Sequence, residues 1–351
     1  MQPFQGIAVS SNPAVEPVLR SLYITREGMQ LLKQQERLLV VNGKDVEARL
    51  PLRKIDHIVL QGNQTVSTAL LQYAASNDIH VSIADDHGNH RLGLVNPGST
   101  TLVMLRQQFL REQDDAFGIA IVRELIASKL HNCRALLRQH NRRRNIPTVE
   151  QAGARLGQLQ GMLAHRSELN VLRGFEGSAA RAHFAAIAAL LPSHWQFRGR
   201  QRQPPGDPCN VLLSYGYQVL YATVEAMIQQ RGLHAGLGHL HVADGRHAAL
   251  ASDLMEEFRA PMVDAVALNA LMNEFSPDDF AFSDDPVRPC RMHDATRRRY
   301  LEMLQQKFRS QITHPQTGQL VDYQRLVQAQ VWHYARVIKG DDPAYRGFRL
   351  R

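Results

Sequence analysis

The chain has 351 residues, 44% of them hydrophobic; at about 100–200 residues per domain that is enough for two domains with a real core, which argues against a disordered chain. Lys and Arg number 41 against 33 Asp and Glu, a formal charge of +8 at pH 7, and an excess of this sign favours a polyanion, nucleic acid above all. The cysteines Cys133, Cys209 and Cys290 form no C-x-x-C pair, which argues against a zinc ribbon or disulfide framework and fits a reduced, cytoplasmic compartment; no secretory h-region opens the chain and no run reaches the ~20 apolar residues of a membrane span, so no membrane partner is expected.

Residues 1–20 read as a polar extension. From residue 21 to 96 strands dominate: Leu22–Thr25, Leu38–Val41 running into the hairpin signal Asn42-Gly43, Glu47–Leu52, His57–Gln61, Ile79–Ala84 and Arg91–Val95. One helical stretch, Thr65–Ser76, interrupts them, with Leu70, Leu71, Tyr73 and Ala74 on a helical period. Asn96-Pro97-Gly98-Ser99 is a turn cluster, so 97–100 is taken as the linker. Over 101–351 the spacing predicts helices at Leu102–Gln113, Phe117–Asn141, Gln151–Val171, Gly174–Leu190, Val211–Arg231, Asp253–Met272 and Thr296–Ser310. Pro261 must end or kink the sixth, since it lacks an N–H and clashes with the preceding turn. Asn210 stands where an N-cap belongs, and Gly232 follows at C′. The expected fold class is α+β, an N-terminal β-rich domain followed by a larger all-α catalytic domain.

Three places carry candidate chemistry. Glu176 opens a helix of small residues, Ala179, Ala180, Ala182, Ala185 and Ala186; the plain explanation is an acid favoured by the helix dipole. His241 lies in a loop between apolar helices, and on an extended segment it shares a face with His239; a lone histidine is more often structural. Asp253 and Glu256 stand at i and i+3 on one helix face, with Glu257 at i+4 from Asp253. A solvated acidic face would explain the cluster, but a divalent cation also removes the repulsion. One histidine with several carboxylates suits Mn²⁺ or Mg²⁺ better than zinc, and the chemistry that follows is Lewis-acid work on a phosphodiester. Basic clusters accompany these residues: Arg198, Arg200 and Arg202 in the proline-rich segment before Asn210, Arg142-Arg143-Arg144 after a helix carrying Lys129, Arg134 and Arg138, and Arg297–Arg299. Such runs neutralise phosphates without reading sequence, or are simply solvated helix ends.

The stretch from Phe197 to Tyr217, the segment Gly232-Leu…Gly238-His-Leu-His241 and Asp253-Leu-Met-Glu256-Glu-Phe-Arg259 resemble, in that order, the hallmarks of the CRISPR-associated endonuclease family Cas1. Leu22-Tyr-Ile-Thr, the Glu176 helix and the ending Tyr345-Arg-Gly-Phe348-Arg are similar as well, so the resemblance runs over about residues 21–351. It implies a β-domain that forms a homodimer, an α-helical catalytic domain, and a metal held by Glu176, His241 and Glu256 with Asp253 in support. It implies assembly with the companion protein Cas2, capture of short duplex DNA and insertion at a CRISPR repeat through attack of each 3′-hydroxyl; members alone also cut or resolve branched DNA. Arg181, Asn210, Ser214 and Tyr217 are expected to border the reacting phosphate, and Arg198, Arg200, Arg202, Arg259, Arg142, Arg143 and Arg144 to bind DNA. Two readings compete with this integrase: a strand-transfer enzyme of a mobile element with the same catalytic domain, and a DNA-binding scaffold without catalysis. Departures from the family pattern, His234-Ala235 before Gly238 and Ser178 among the alanines, remove no expected ligand.

Overall fold

In chain order the computed structural model contains β1 (Ser21–Ile24), β2 (Gln30–Gln34), β3 (Arg37–Asn42), β4 (Asp45–Pro51), β5 (His57–Gln61), β6 (Thr65–Val66), α1 (Thr68–Ser76), β7 (His80–Ala84) and β8 (His90–Val95). It describes residues 21–350 except 56, 78, 85–89, 96–101, 243–246 and 315–317. The expected extension 1–20 and linker 97–100 lie outside the described residues.

Two four-stranded sheets result. One has the order β1-β5-β7-β8 with β1, β5 and β7 parallel; the other has the order β4-β3-β2-β6. Strand alternation gives the first sheet two buried faces. Leu22, Ile24, Ile58 and Leu60 join Met29, Leu31, Leu38, Val40, Leu70 and Ala74 in the core of the β-domain. Tyr23 and Val59 point the other way, into the core of the helical region. Every residue of β5 is therefore buried, as expected for a parallel strand covered on both sides. Asn42 pairs with Asp45, so the hairpin turn is Gly43-Lys44, one residue later than expected, with Gly43 at φ +60. β2 has no such signal: it turns into β3 through Gln35 at φ 52, which the amino-acid pattern does not announce.

The helices are α2 (Leu102–Glu112), α3 (Asp115–Asn141), α4 (Pro147–Met162), α5 (Leu169–Leu190), α6 (Pro208–Gln230), α7 (Ala249–Phe258), α8 (Ala265–Asn269), α9 (Asp294–Arg309) and α10 (Tyr323–Lys339). The break between α4 and α5 falls at 163–168 rather than before Gly174, because Gly174 is tolerated inside a helix at a cost of about 1 kcal/mol. Pro261 acts as expected: Arg259–Asp264 widens into a π-helical turn between α7 and α8. The true N-cap of α6 is Asp207, whose side chain accepts from Asn210 N–H, and Pro208 takes N1, so Asn210 is not the cap. Gly232 takes φ +78 beyond α6 as expected. Helix α10 lies beyond the last expected helix, although Asp322 caps its start and Gly340, at φ +85, its end. The C-terminal part is mostly helical but carries two short antiparallel ribbons, β9 (Phe280–Phe282) with β10 (Cys290–Met292) and β11 (Gln311–Thr313) with β12 (Leu320–Asp322).

Candidate metal centre and nucleic-acid cleft

Helix α7 is buried along its whole length, so its three acids are not a solvated face. Each has its own environment. Asp253 Oδ2 accepts the backbone N–H groups of His239 (2.6 Å) and Leu240 (3.0 Å), and Oδ1 that of His241 (3.0 Å). Oδ1 also takes His241 Nδ1 at 2.7 Å. One carboxylate thus folds the loop and fixes the imidazole, leaving Nε2 toward Glu256 Oε1, 3.8 Å away. His239, expected to share that face, instead reaches Tyr334 Oη at 2.9 Å and packs on Phe117.

Glu256 is 2% exposed. Arg259 Nη2 stands 3.1 Å from its Oε1 and Lys129 Nζ 2.7 Å from its Oε2. Burial pushes its carboxyl up, but Arg259, Lys129 and His241 outweigh burial and hold it at about 2. Lys129, from α3, also pairs with Glu176 and so bridges the two carboxylates. Burial disfavours the ammonium, yet Glu256 and Glu176 keep it charged and raise its pKa. Glu257 points the other way: it accepts from Tyr345 Oη, Phe348 N–H and Gln330 Nε2, which dock the segment around residues 345–350 behind the site.

The donors fit a hard divalent cation. The arrangement is a histidine oriented by a carboxylate at one nitrogen and facing a second carboxylate with the other. Glu256 Oε2 is buried, and the Lys129 ammonium stands 2.7 Å from it. Among the described residues no three His, Cys, Asp or Glu side chains close on one point as placed, and the Lys129 ammonium occupies the position between Glu176 and Glu256.

Of these residues Lys129, Glu176, His241 and Arg259 line a cleft of about 1610 Å³, with Glu256 buried behind its wall. Glu176, Ala180 and His183 line it, which are i, i+4 and i+7 on α5. Glu176 lies past the second turn of that helix and not at its start. Arg181 is five residues on, faces away and is exposed, so it does not border the site. Ser214, Tyr217, Arg200, Arg202 and Arg259 do line the cleft. Arg200 donates to Ser214 Oγ at 3.0 Å and to Asn210 Oδ1 at 2.9 Å. Asn210 is fully buried and also holds Gln201 N–H and Gly199 C=O, so it is a latch for the arginine loop and not a DNA contact. Arg198 is exposed outside the cleft. Arg142, Arg143 and Arg144 sit at the exposed end of α3, about 20 Å along its axis from Lys129 at 1.5 Å per residue. The cleft wall adds Arg26, Arg288, Arg291, Arg297 and Arg298, which come from both parts of the chain. Lys129 was legible only as one more basic residue of α3; its place between two acids depends on helix packing.

The family model described as "CRISPR associated protein Cas1" matches residues 22–306. A CRISPR-associated endonuclease Cas1 of Thermus thermophilus is 33% identical over 298 residues, 84% of this chain and 89% of its own. Another, from Mycobacterium tuberculosis, is 30% identical over 262 residues, 75% of this chain and 76% of its own. The chain belongs to the Cas1 family. Among solved structures, a Cas1 protein from Thermotoga maritima superposes with a TM-score of 0.77 at 18% identity, covering 95% of this chain and 100% of that one. A casposase bound to integration product gives 0.79 at 19%, with 93% of each chain covered. A chain of a Cas6-RT-Cas1–Cas2 complex gives 0.82 at 24% and covers 97% of this chain; this chain spans 37% of that longer one. At these identities the three likenesses establish the fold. Among the described residues no helix is long and apolar enough to cross a membrane.

Proposed function

We propose that the protein is a divalent-metal-dependent DNA endonuclease and strand-transfer integrase of CRISPR adaptation, with Glu176, His241 and Glu256 as metal ligands. The observation that carries this is the convergence of α5, α7 and the His241 loop on one arginine-lined cleft, with Asp253 committing His241 Nδ1 and leaving Nε2 free to ligate. Mn²⁺ or Mg²⁺ bound there supplies Lewis-acid stabilisation of the phosphodiester. Arg259, Arg200 and Ser214 line the place of the phosphate and donate to its oxygens. Lys129 offsets the repulsion between the two carboxylates. In the reaction a 3′-hydroxyl oxygen loses its proton and bonds to phosphorus, the bond from phosphorus to the displaced strand's oxygen breaks, and that leaving oxygen takes up a proton, so the proton count is unchanged. Bonds are exchanged one for one, so no external energy source is required.

The proposed partners are short duplex DNA, the CRISPR repeat and branched DNA, a second copy of this chain through the β-domain, and Cas2. The relatives are named endonucleases, and the solved neighbours bound to DNA or in complex with Cas2 support the same reading. The presence of every expected ligand weighs against a scaffold without catalysis. A branched DNA resembling a half-joined product tests the proposal without a partner. Resolution of the joint with Mn²⁺ or Mg²⁺, lost with chelator and in His241→Ala, is the expected result. Tight binding with no strand transfer in any metal, alone or with Cas2, overturns it.

A further inference from the structure

Asp264 ends the π-helical turn that Pro261 creates, and it is 2% exposed. Each of its oxygens is engaged by a different helix. Oδ1 accepts Tyr217 Oη–H at 2.5 Å from α6, and Oδ2 meets His183 Nε2 at 2.7 Å from α5. Tyr217 is 8% exposed. Burial, then the neighbouring Asp264 carboxylate, raises its phenol well above the usual range, so the hydroxyl keeps its proton and donates it to this bond. The ring of Tyr217 is the platform for two guanidinium groups: Arg259 lies 4.8 Å and Arg200 5.5 Å from its centroid. Arg259 in turn is paired with Glu256 and keeps a buried Nε without a hydrogen-bond partner. Arg200 is held by hydrogen bonds to Ser214 and Asn210, whereas Arg259 is held by the Tyr217 face, the Glu256 ion pair and a weak contact with Met255 Sδ at 3.9 Å.

The geometry points to Asp264 as a positioning residue that acts through Tyr217: by anchoring the phenol it sets the ring under Arg259 and so aims that guanidinium at Glu256 and the adjoining phosphate site. A buried aromatic face with a cation over it is worth more than an exposed one because neither group is hydrated, and the ring can serve only while its hydroxyl is tethered. His183 holds the second oxygen of Asp264 and stops the carboxylate from rotating. The inference rests on the proposed function for what Arg259 does, but not for where it is held.

The test uses the full chain as wild type, Tyr217→Phe, Asp264→Asn and the double variant, with Mn²⁺ and the branched DNA. Single-turnover rates are read at saturating protein, and the DNA Kd is measured separately in chelator. Each single change is expected to lower the rate about tenfold with Kd within about twofold. The double variant is expected to be no slower than the slower single, since residues acting through one another are not additive. Multiplicative losses, or a Tyr217→Phe enzyme at the wild-type rate, overturn the inference; the second outcome decides even if Asp264→Asn does not fold. If the wild type is inert in every metal, the proposed function fails and the positioning role is read by NMR. The Arg259 Nε–H resonance, displaced by the Tyr217 ring current, moves to the position of a free arginine in Asp264→Asn if the role is right. An unmoved resonance in the folded variant overturns it.

Discussion

Asp253 and His241 are joined through both backbone and side chain: one Asp253 oxygen accepts the His241 amide at 3.0 Å and lies 2.7 Å from its Nδ1. The loop and the imidazole are therefore set by one buried acid. Asp253→Asn replaces an acceptor by an amide whose N–H₂ group cannot satisfy all four contacts. The outcome expected from loss of such a partner is a 10–100-fold weaker activation by metal, read as a Mn²⁺ titration of strand transfer. An unchanged titration would show that the loop, not the carboxylate, orients His241.

His241 itself has a 30% exposed side chain and fills no core. His241→Ala is expected to abolish metal-dependent transfer, more than about 10³-fold, while shifting Tm by no more than a few degrees, as for a surface substitution of about 0.5 kcal/mol. Thermal melts beside the activity assay check this; a cooperative loss of the fold would make the histidine structural.

Gly238 belongs to the loop that carries His241. A Cβ there would lie 2.8 Å from the Ala249 carbonyl carbon and 2.9 Å from Asp253 Oδ2. Neither can yield without moving the start of α7 or the acid that folds the loop. Gly238→Ala should cost about 1–3 kcal/mol, as overpacking does, and should lower the rate well beyond what the lost stability explains. Urea denaturation combined with single-turnover rates separates the two effects.

Glu256 and Glu257 are neighbours with opposite shifts, so they tilt stability in different pH ranges. Burial raises Glu257 to about 8, which means the folded protein holds a proton that the unfolded chain releases above the ordinary carboxyl range. That contribution is complete below about pH 4.3 and is lost as pH rises toward 8. Glu257→Gln should flatten the decline in urea midpoint across this window. Glu256, lowered to about 2 despite its burial by Arg259 and Lys129, contributes above the ordinary carboxyl range and loses that contribution as pH falls toward 2. A variant keeping the wild-type slope between pH 5 and 8 would show that the three donors around Glu257 hold it ionised.

Much of this protein was legible in the amino-acid order. The change from strands to helices near residue 96, the pause at Pro261, the i, i+3 placement of Asp253 and Glu256 and the proximity of His241 to that helix in the chain are all local matters of periodicity, missing N–H groups and turn chemistry. The motifs that resemble Cas1 are local too, and the family comparison agrees with them. Relations between distant segments were not legible. Lys129 and Glu176 are 47 residues apart, and Tyr217 and Asp264 are 47 apart as well. Arg181 and Asn210 looked like site residues by adjacency, yet one faces solvent and the other is buried as a latch. Sequence spacing sets which side chains share a helix face. Which face is turned inward, and which two helices meet there, is decided by close packing of the whole apolar core. That packing placed an ammonium between two acids and a tyrosine beneath an arginine.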